Sequence, residues 1–450
     1  MALPERRGRS EQLRARRRLA EQQRIGFLRL PSAPRRRTLR YYRRTWRQYF
    51  QLLGPSIITG AADNDPAGVI TYTQVGATTG FRLLWLMVLA TPMLFFLEEM
   101  AMRLAVVTKQ GLARNIRRRF GANIAIAITL VFVISNVTTI GADLAGMAAA
   151  LQVLTGIPWE WMVAPLTGVL GYVVIVGKYQ QLNRFLFILT PLFLLYIATG
   201  IAIRPPWEEV IFHTFVPQLE SSTDFIVAAL ALLGATLTPY MFFWETAEMI
   251  EERRRVEDLA GENLDVAAGM AYANLIFYFI VLVAGATFFE RQVKVETVAD
   301  AALALRPLAG DLVFTLFAIA MVISGLMAVP VMAASTAYAV VEATGLVRGF
   351  RPQVWRVGSF YIVLLAALAL GGVVALLGIE PAQLIFWSQA VNGLLLPLVF
   401  VVLLLLTNDT RIMRRYTNGL LSNAVGWGTV ALSSLLGILM LWDLTVRLVK

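Results

Sequence analysis

Long apolar stretches recur along this chain from residue 51 to residue 447, and they constrain its fold more than any other feature. A helix needs roughly 20 mostly apolar residues to cross the hydrocarbon core of a bilayer. Of the 450 residues, 58% are hydrophobic and only 15% are charged, and the mean hydropathy is +0.66. No polar segment is long enough for a second, soluble domain. We therefore expect an all-α integral membrane protein.

Hydropathy and turn signals together predict about eleven transmembrane helices. Lys and Arg should gather in alternate loops, on the cytoplasmic side, and they do so near residues 109–119, 178–184, 253–255, 348–351 and 411–415. This distribution predicts a cytoplasmic N-terminus and an outside C-terminus for a multi-pass protein of the cell membrane, and the odd number of spans agrees with it. The predicted spans lie near residues 51–80, 82–107, 122–154, 162–177, 185–203, 224–250, 265–289, 311–344, 354–378, 381–406 and 424–447.

The positive charge of the chain belongs to its N-terminal end. Between Met1 and Phe50 there are sixteen arginines and three glutamates, or +13, so that the remainder carries 11 − 13 = −2. We predict a basic cytoplasmic tail over residues 1–49 that contacts anionic lipid headgroups, and a transmembrane domain over residues 50–450. No nucleic-acid-binding motif accompanies the arginines, so no nucleic acid partner is expected.

Two of the predicted spans are interrupted at corresponding places. The first contains Gly-Ala-Ala-Asp-Asn-Asp-Pro-Ala-Gly at residues 60–68, and the sixth contains Gly-Ala-Thr-Leu-Thr-Pro-Tyr at residues 234–240. Proline removes a helix donor, and an ordinary proline kink would explain either interruption alone. Matching interruptions in two halves, at about 51–203 and 224–406, favour a transporter with a central site and an extra helix at 424–447.

Asp63 and Asp65 lie inside the first of these interrupted spans. An ionised carboxylate there costs at least roughly 2.5 to 3.5 kcal/mol unless something compensates it. An arginine on a neighbouring helix is one possible partner, but the spans contain almost no Lys or Arg. A bound cation is the other, since unwinding around Pro66 would free carbonyl oxygens beside the carboxylate. We predict that Asp65 is the central cation ligand.

Other polar side chains within the spans are candidates for an ion or proton pathway. Asn136 and Asp143 lie seven residues apart and therefore on one helix face. Glu245 follows Pro239 toward the cytoplasmic end, where it could guide ions or meet headgroup water. Gln389 and Asn392 offer neutral oxygens at i and i+3, and hydrogen bonds between helices are an equally good explanation for them.

No catalytic constellation is present in the sequence. The chain has no cysteine and a single histidine, His213, so the usual nucleophiles, bases and imidazole or thiolate metal clusters cannot form. We expect neither an enzyme nor a resident cofactor.

Several of these segments together resemble one family, the natural resistance-associated macrophage protein family of divalent metal transporters. Its Asp-Pro-Gly-Asn metal motif corresponds to Asp65-Pro66-Ala67-Gly68, and the likeness covers nearly all of residues 48–447. Further similar motifs are Gly-Pro-Ser at residues 54–56, Met-Arg-Leu-Ala-Val-Val-Thr at 102–108, Gly-Ala-Asp-Leu-Ala at 141–145, and Ser-Gln-Ala-Val with Leu-Pro at 388–391 and 396–397.

The resemblance implies the leucine-transporter fold, with two inverted five-helix repeats and the ion held between the breaks of helices 1 and 6. It further implies transport by alternating access and, for typical members, import of manganese or iron with protons. Carried over position by position, it makes Asp65 a metal ligand and gives backbone carbonyls at Ala62 and Ala235. Gln389, as a neutral oxygen donor, is a further candidate ligand. Thr238 stands where the family has a methionine ligand.

This chain also departs from the family pattern at several positions. The motif asparagine is Gly68, Met-Pro-His reads Thr238-Pro239-Tyr240, a second histidine falls at Glu245, and two acids of the proton path fall at Asn136 and Gly146. Without the thioether, an oxygen-only site suits magnesium or manganese, with iron a further candidate. Fewer titrating groups predict weak proton coupling. The alternative is a symporter of the same fold for an amino acid or other small solute, whose carboxylate Asp65 would repel.

Overall fold

The computed structural model describes residues 65–176, 192–306, 310–345 and 358–449, and all the regular structure within these ranges is helical. The helix Leu259–Ala284 continues into one π-helical turn, Gly285–Phe289. The helices are α1 (Pro66–Thr79), α2 (Leu84–Thr108), α3 (Leu112–Phe120), α4 (Ala122–Thr155), α5 (Trp159–Val176), α6 (Leu194–Ala202), α7 (Trp207–Phe215), α8 (Thr223–Thr236), α9 (Pro239–Glu251), α10 (Leu259–Ala284), α11 (Val298–Ala302), α12 (Val313–Thr344), α13 (Gly358–Ala375), α14 (Pro381–Asn408), α15 (Thr410–Met413) and α16 (Leu420–Val449).

Nine helical segments within the described ranges are long and apolar enough to cross a membrane. They coincide with the second to fourth and the sixth to eleventh spans that hydropathy predicted, and the all-α fold is confirmed. The first and fifth predicted spans extend beyond the described residues, so the count of eleven stays a prediction. The basic tail over residues 1–49 also lies outside the described residues.

The outer surface of the helices carries large apolar side chains. Leu130 is 58% exposed, Ile134 is 60% exposed and Trp442 is 70% exposed. Exposed apolar side chains of this size are unfavourable in water, whereas lipid tails are as apolar as these side chains. The interior is packed with small and branched residues, and it is here that the buried polar groups lie.

The predicted break in the sixth span is confirmed. Helix α8 ends at Thr236, Leu237 and Thr238 leave the helical conformation, and α9 begins with Pro239 as its first residue. Proline suits this position because the first helical N–H has no intrahelical partner. In the first span, α1 likewise begins with Pro66, and Asp65 is its N-cap. The residues before Asp65, including Ala62 and Asp63, lie outside the described part of the chain.

The basic segment after α2, which the charge pattern places in a loop, contains the helix α3. Its Leu112 and Ile116 are buried, while Arg114, Arg118 and Arg119 are exposed. The Leu112 N–H donates to the Thr246 hydroxyl of α9 at 3.1 Å, and the Arg114 N–H donates to the Glu342 carboxylate of α12 at 3.3 Å. Helix α3 therefore ties the second half of the broken span to α12.

Helices α8 and α14 approach each other so closely that their backbones touch. A Cβ at Gly234 would stand 1.9 Å from the carbonyl oxygen of Gln389, and a Cβ at Gly393 would stand 2.2 Å from the carbonyl oxygen of Leu230. Small residues permit this approach in membrane helices. The contact holds the end of α8, next to the break, against the part of α14 that carries Gln389.

We expect Gly234→Ala to destabilise the protein by about 1–3 kcal/mol, because the methyl group must push two backbones apart. The measurement is the unfolding temperature of purified protein in detergent. Gly168→Ala in α5 is the matched control, since no atom lies within 4 Å of its added Cβ. Alanine also favours helix over glycine, so the control should be neutral or slightly more stable. Equal unfolding temperatures for the two variants would contradict the backbone contact.

Candidate cation site at the helix breaks

Two buried carboxylates cap the start of α1. The Asp65 side chain accepts a hydrogen bond from the Gly68 N–H at 2.5 Å, and Asp143 of α4 accepts one from the Ala67 N–H at 2.8 Å. Asp65 is 4% exposed and Asp143 is fully buried. Because Pro66 has no N–H, these two bonds satisfy the free donors of the first turn, and the positive end of the helix favours the negative groups.

Gly68 leaves room for the Asp65 carboxylate. A Cβ at this position would stand 2.8 Å from Asp65 Oδ1 and 3.4 Å from the ring of Tyr72. A residue with a Cβ here would force the carboxylate to shift, because real Cβ atoms essentially never lie this close to another heavy atom. The glycine that replaces the family's asparagine is therefore compatible with the observed position of Asp65.

The second break provides oxygen atoms that an unbroken helix would hide. The carbonyl of Ala235 would normally accept from the N–H four residues later, but that residue is Pro239, which has none. Thr238 is buried and caps α9 without any side-chain hydrogen bond to that helix. The carbonyl and the hydroxyl are therefore available at the gap between α8 and α9.

A small cavity joins the start of α1 to this gap. The Tyr72 hydroxyl and the Thr236 hydroxyl lie 3.0 Å apart and link α1 to α8 beside it. Among the described residues no three Asp, Glu or His side chains lie together, so a cation here would be held by one carboxylate and neutral donors. Residues that line the cavity include Asp65, Ala235, Thr238, Tyr240, Met241 and Asn274.

Carboxylate, hydroxyl, carbonyl and amide oxygens are the donors that hard divalent cations prefer. The structure thus brings three of the predicted ligand residues together, Asp65, Ala235 and Thr238. Met241 also lines the cavity, which places a thioether in the wall of a site that sequence reasoning took to contain oxygen only.

Gln389 does not line this cavity. Its amide oxygen accepts from the Asn392 amide at 3.0 Å, and its amide nitrogen has no hydrogen-bond partner among the described residues. Asn392 also donates to the Thr139 hydroxyl at 3.1 Å and accepts from the Ser135 hydroxyl. These contacts join α14 to α4, which is the helix-to-helix bonding considered above, and a ligand role for Gln389 stays a prediction.

The remaining pathway candidates lie at different places around the bundle. The Asn136 amide donates to the Met332 carbonyl at 2.8 Å and to the Thr336 hydroxyl at 2.7 Å, which links α4 to α12. Tyr240 lines the cavity. Glu245 is buried further along α9 and is not part of the cavity wall. Of Asn136, Tyr240 and Glu245, only Tyr240 lines the cavity.

Sequence reasoning missed Asn274 of α10, which lies in the cavity wall. The signal was available: Asn274 is an amide near the middle of the apolar seventh span, in Met-Ala-Tyr-Ala-Asn-Leu-Ile at residues 270–276. Polar side chains in such a position are commonly functional or bonded to another helix.

We expect Asp143→Ala to destabilise the protein by about 1–3 kcal/mol, since the buried Ala67 N–H loses its acceptor. Asp143→Asn retains an amide oxygen at the same place and should keep most of that stability. Thermal unfolding in detergent measures the difference. An alanine variant as stable as the wild type would show that the contact between α4 and the start of α1 contributes nothing to folding.

An interrupted span and the start of a second helix meet at a cavity that contains one buried carboxylate, and this arrangement defines the class of the molecule: it is a helical membrane protein built like secondary transporters. Residues 56–443 match the family model described as natural resistance-associated macrophage protein-like, and the chain belongs to that family. The family comprises transporters and not enzymes, which confirms the corresponding prediction.

Relatives agree with this membership, and solved structures share the fold. The divalent metal cation transporter MntH of Deinococcus radiodurans is 27% identical over 420 residues, and the match covers 88% of this chain and 91% of the MntH chain. A crystal structure of the Eremococcus coleocola manganese transporter, in complex with an aromatic bis-isothiourea substituted compound, has a TM-score of 0.63 at 21% identity and covers 88% and 87% of the two chains. MHP1, a nucleobase-cation-symport-1 family transporter, has a TM-score of 0.54 at 13% identity and covers 83% and 80%.

Proposed function

We propose that this protein is a secondary transporter that carries divalent metal ions across the membrane by alternating access. One observation carries the proposal: the buried Asp65 lines a cavity together with Thr238 and with Ala235, whose carbonyl meets no helical N–H at Pro239. A buried carboxylate without a cationic side chain beside it is stabilised by a cation. The names of the relatives, divalent metal cation transporter and manganese transporter, support the same substrate class.

The rival function is a symporter for an amino acid or another small solute. Its support is the fold itself, because the similar MHP1 belongs to a nucleobase-cation-symport family. A substrate carboxylate would be repelled by Asp65. The metal reading therefore fits the chemistry of the cavity better.

The donors favour magnesium or manganese, with iron as a further candidate. We assign Asp65, Thr238 and the carbonyls of Ala62 and Ala235 to the cation, with Gln389 reaching it in another conformation of α14. Magnesium keeps several of its waters, so few protein ligands suffice. The proposed ion or proton pathway comprises Asp63, Asn136, Asp143, Tyr240, Glu245 and Asn392.

For the membrane orientation, we propose that the N-terminus is cytoplasmic and the C-terminus outside. The support is the gathering of Lys and Arg in alternate loops. The arginine-rich tail would then face the anionic lipids of the inner leaflet.

The test is uptake of magnesium and manganese by proteoliposomes that contain a metal-sensitive dye. We expect saturable uptake that protein-free liposomes lack and that an excess of a second divalent ion inhibits. A neutral amino acid should neither be taken up nor compete. Uptake of an amino acid without divalent metal uptake would favour the rival function.

We expect metal uptake to cause little or no acidification of the liposome interior. The reason is that Asn136, where the family has an acid, binds no proton and instead links α4 to α12. An internal pH dye measures this during uptake. Asn136→Asp restores a titratable group and is the matched comparison. Metal-dependent acidification by the wild type would contradict the expectation.

A further inference from the structure

Asn274 is a buried amide whose hydrogen-bonding capacity is unused. It is 5% exposed, and neither its amide oxygen nor its amide nitrogen has a partner among the described residues. Burying an amide without hydrogen bonds costs roughly 1–3 kcal/mol in proteins. Such groups are rare in native interiors and commonly mark a ligand or an ordered water.

The position of Asn274 connects this free amide to the cation site. Ala273, Asn274 and Phe277 form one face of α10, and this face lines the same cavity as Asp65 and Thr238. The ring of Phe277 packs against the ring of Tyr72 in α1, with centroids 4.4 Å apart. Helix α10 is therefore held against α1 one turn from the amide.

The start of α1 offers one polar side chain to the cavity, Asp65. Gly68 has no side chain, and a Cβ there would stand 2.8 Å from Asp65 Oδ1. Among the described residues that line the cavity, Asn274 is therefore the one amide side chain.

We propose that Asn274 is a cation ligand, whose amide oxygen joins the Asp65 carboxylate and the Thr238 hydroxyl at the cavity. The inference rests on the proposed function and deepens it, because it names a donor from α10. A carboxylate, a hydroxyl, a carbonyl and an amide form an oxygen set that suits hard divalent cations.

Isothermal titration of the purified full-length protein with magnesium chloride and manganese chloride tests the inference. Asn274→Leu preserves the size of the side chain and removes the donor, and we expect the affinity for both ions to fall by roughly tenfold or more, the scale seen when supporting groups of metal sites are removed. Asn274→Asp adds a second carboxylate and should bind both ions at least as tightly as the wild type. Asn263→Leu, near the start of α10 and outside the cavity wall, is the matched control and should bind like the wild type.

The neutral variant Asn274→Leu and the charged variant Asn274→Asp together distinguish a ligand from a packing residue. A packing residue would tolerate leucine and suffer from aspartate, whereas a ligand would show the reverse order. Wild-type affinity in Asn274→Leu, or weakened affinity in Asn274→Asp, overturns the inference and leaves the proposed function standing. A wild type that binds neither ion overturns the proposed function itself, and this inference with it.

Discussion

Asp65→Asn should abolish divalent metal uptake and leave a folded, monodisperse protein. The carboxylate is the single negative ligand that the described cavity offers. Its loss should weaken metal binding by more than the roughly 10- to 100-fold that removal of an outer-shell partner costs. The asparagine oxygen can still accept from the Gly68 N–H, so the cap of α1 should persist. Uptake into proteoliposomes and size-exclusion chromatography measure the two outcomes.

Glu99→Gln is the control for this experiment. Glu99 is also an acid on a transmembrane helix, but it pairs with Arg103 at 3.2 Å and lies outside the cavity wall. This variant should transport normally if it folds. Normal uptake by Asp65→Asn would remove the centre of the proposed function, whatever the control does.

Thr238→Met should shift selectivity from magnesium toward cadmium. The wild-type hydroxyl is a hard donor on a small side chain, whereas the thioether is soft and bulkier and would displace water. We expect cadmium affinity to rise by roughly tenfold or more, equivalent to about 1.4 kcal/mol, while magnesium transport weakens. Competition between cadmium and magnesium for uptake gives the rank order directly.

Two further variants decide which atom is responsible. Thr238→Val removes the hydroxyl without adding sulfur, so it should weaken magnesium transport and leave cadmium affinity unimproved. Met241 already lines the cavity, and Met241→Leu removes its thioether. If the wild type prefers cadmium by about an order of magnitude and Met241→Leu abolishes that preference, the Met241 sulfur and not the oxygen set governs selectivity.

The broken sixth span could be predicted because its causes are local. Pro239 interrupts the helix at its own position, and the apolar length around it identifies a span without knowledge of any neighbour. The same reasoning placed Asp65 at the start of a half-helix, where it proves to be the N-cap. Local signals therefore gave the two elements that build the cavity.

Contacts between distant segments could not be predicted in this way. Asp143 caps α1 from 76 residues further along the chain, and only the packing of α4 brings it there. Asn274 is one amide in an apolar span, and its importance depends on which face of α10 turns to the cavity. The segment after α2 was predicted to be a loop because its many arginines outweigh the apolar face formed by Leu112 and Ile116.

The Asp65 carboxylate is at once the cap of α1 and part of the cavity wall. A cation that bound this carboxylate would share the group whose Oδ1 accepts from the Gly68 N–H, while Asp143 holds the neighbouring N–H to α4. Occupancy of the cavity and geometry of the helix end would then share one coupling free energy, and such coupling is reciprocal. A change in the helix end would alter cation affinity by the same factor by which the cation alters the equilibrium of the helix end. A bound ion would thus bias the conformation of the start of α1.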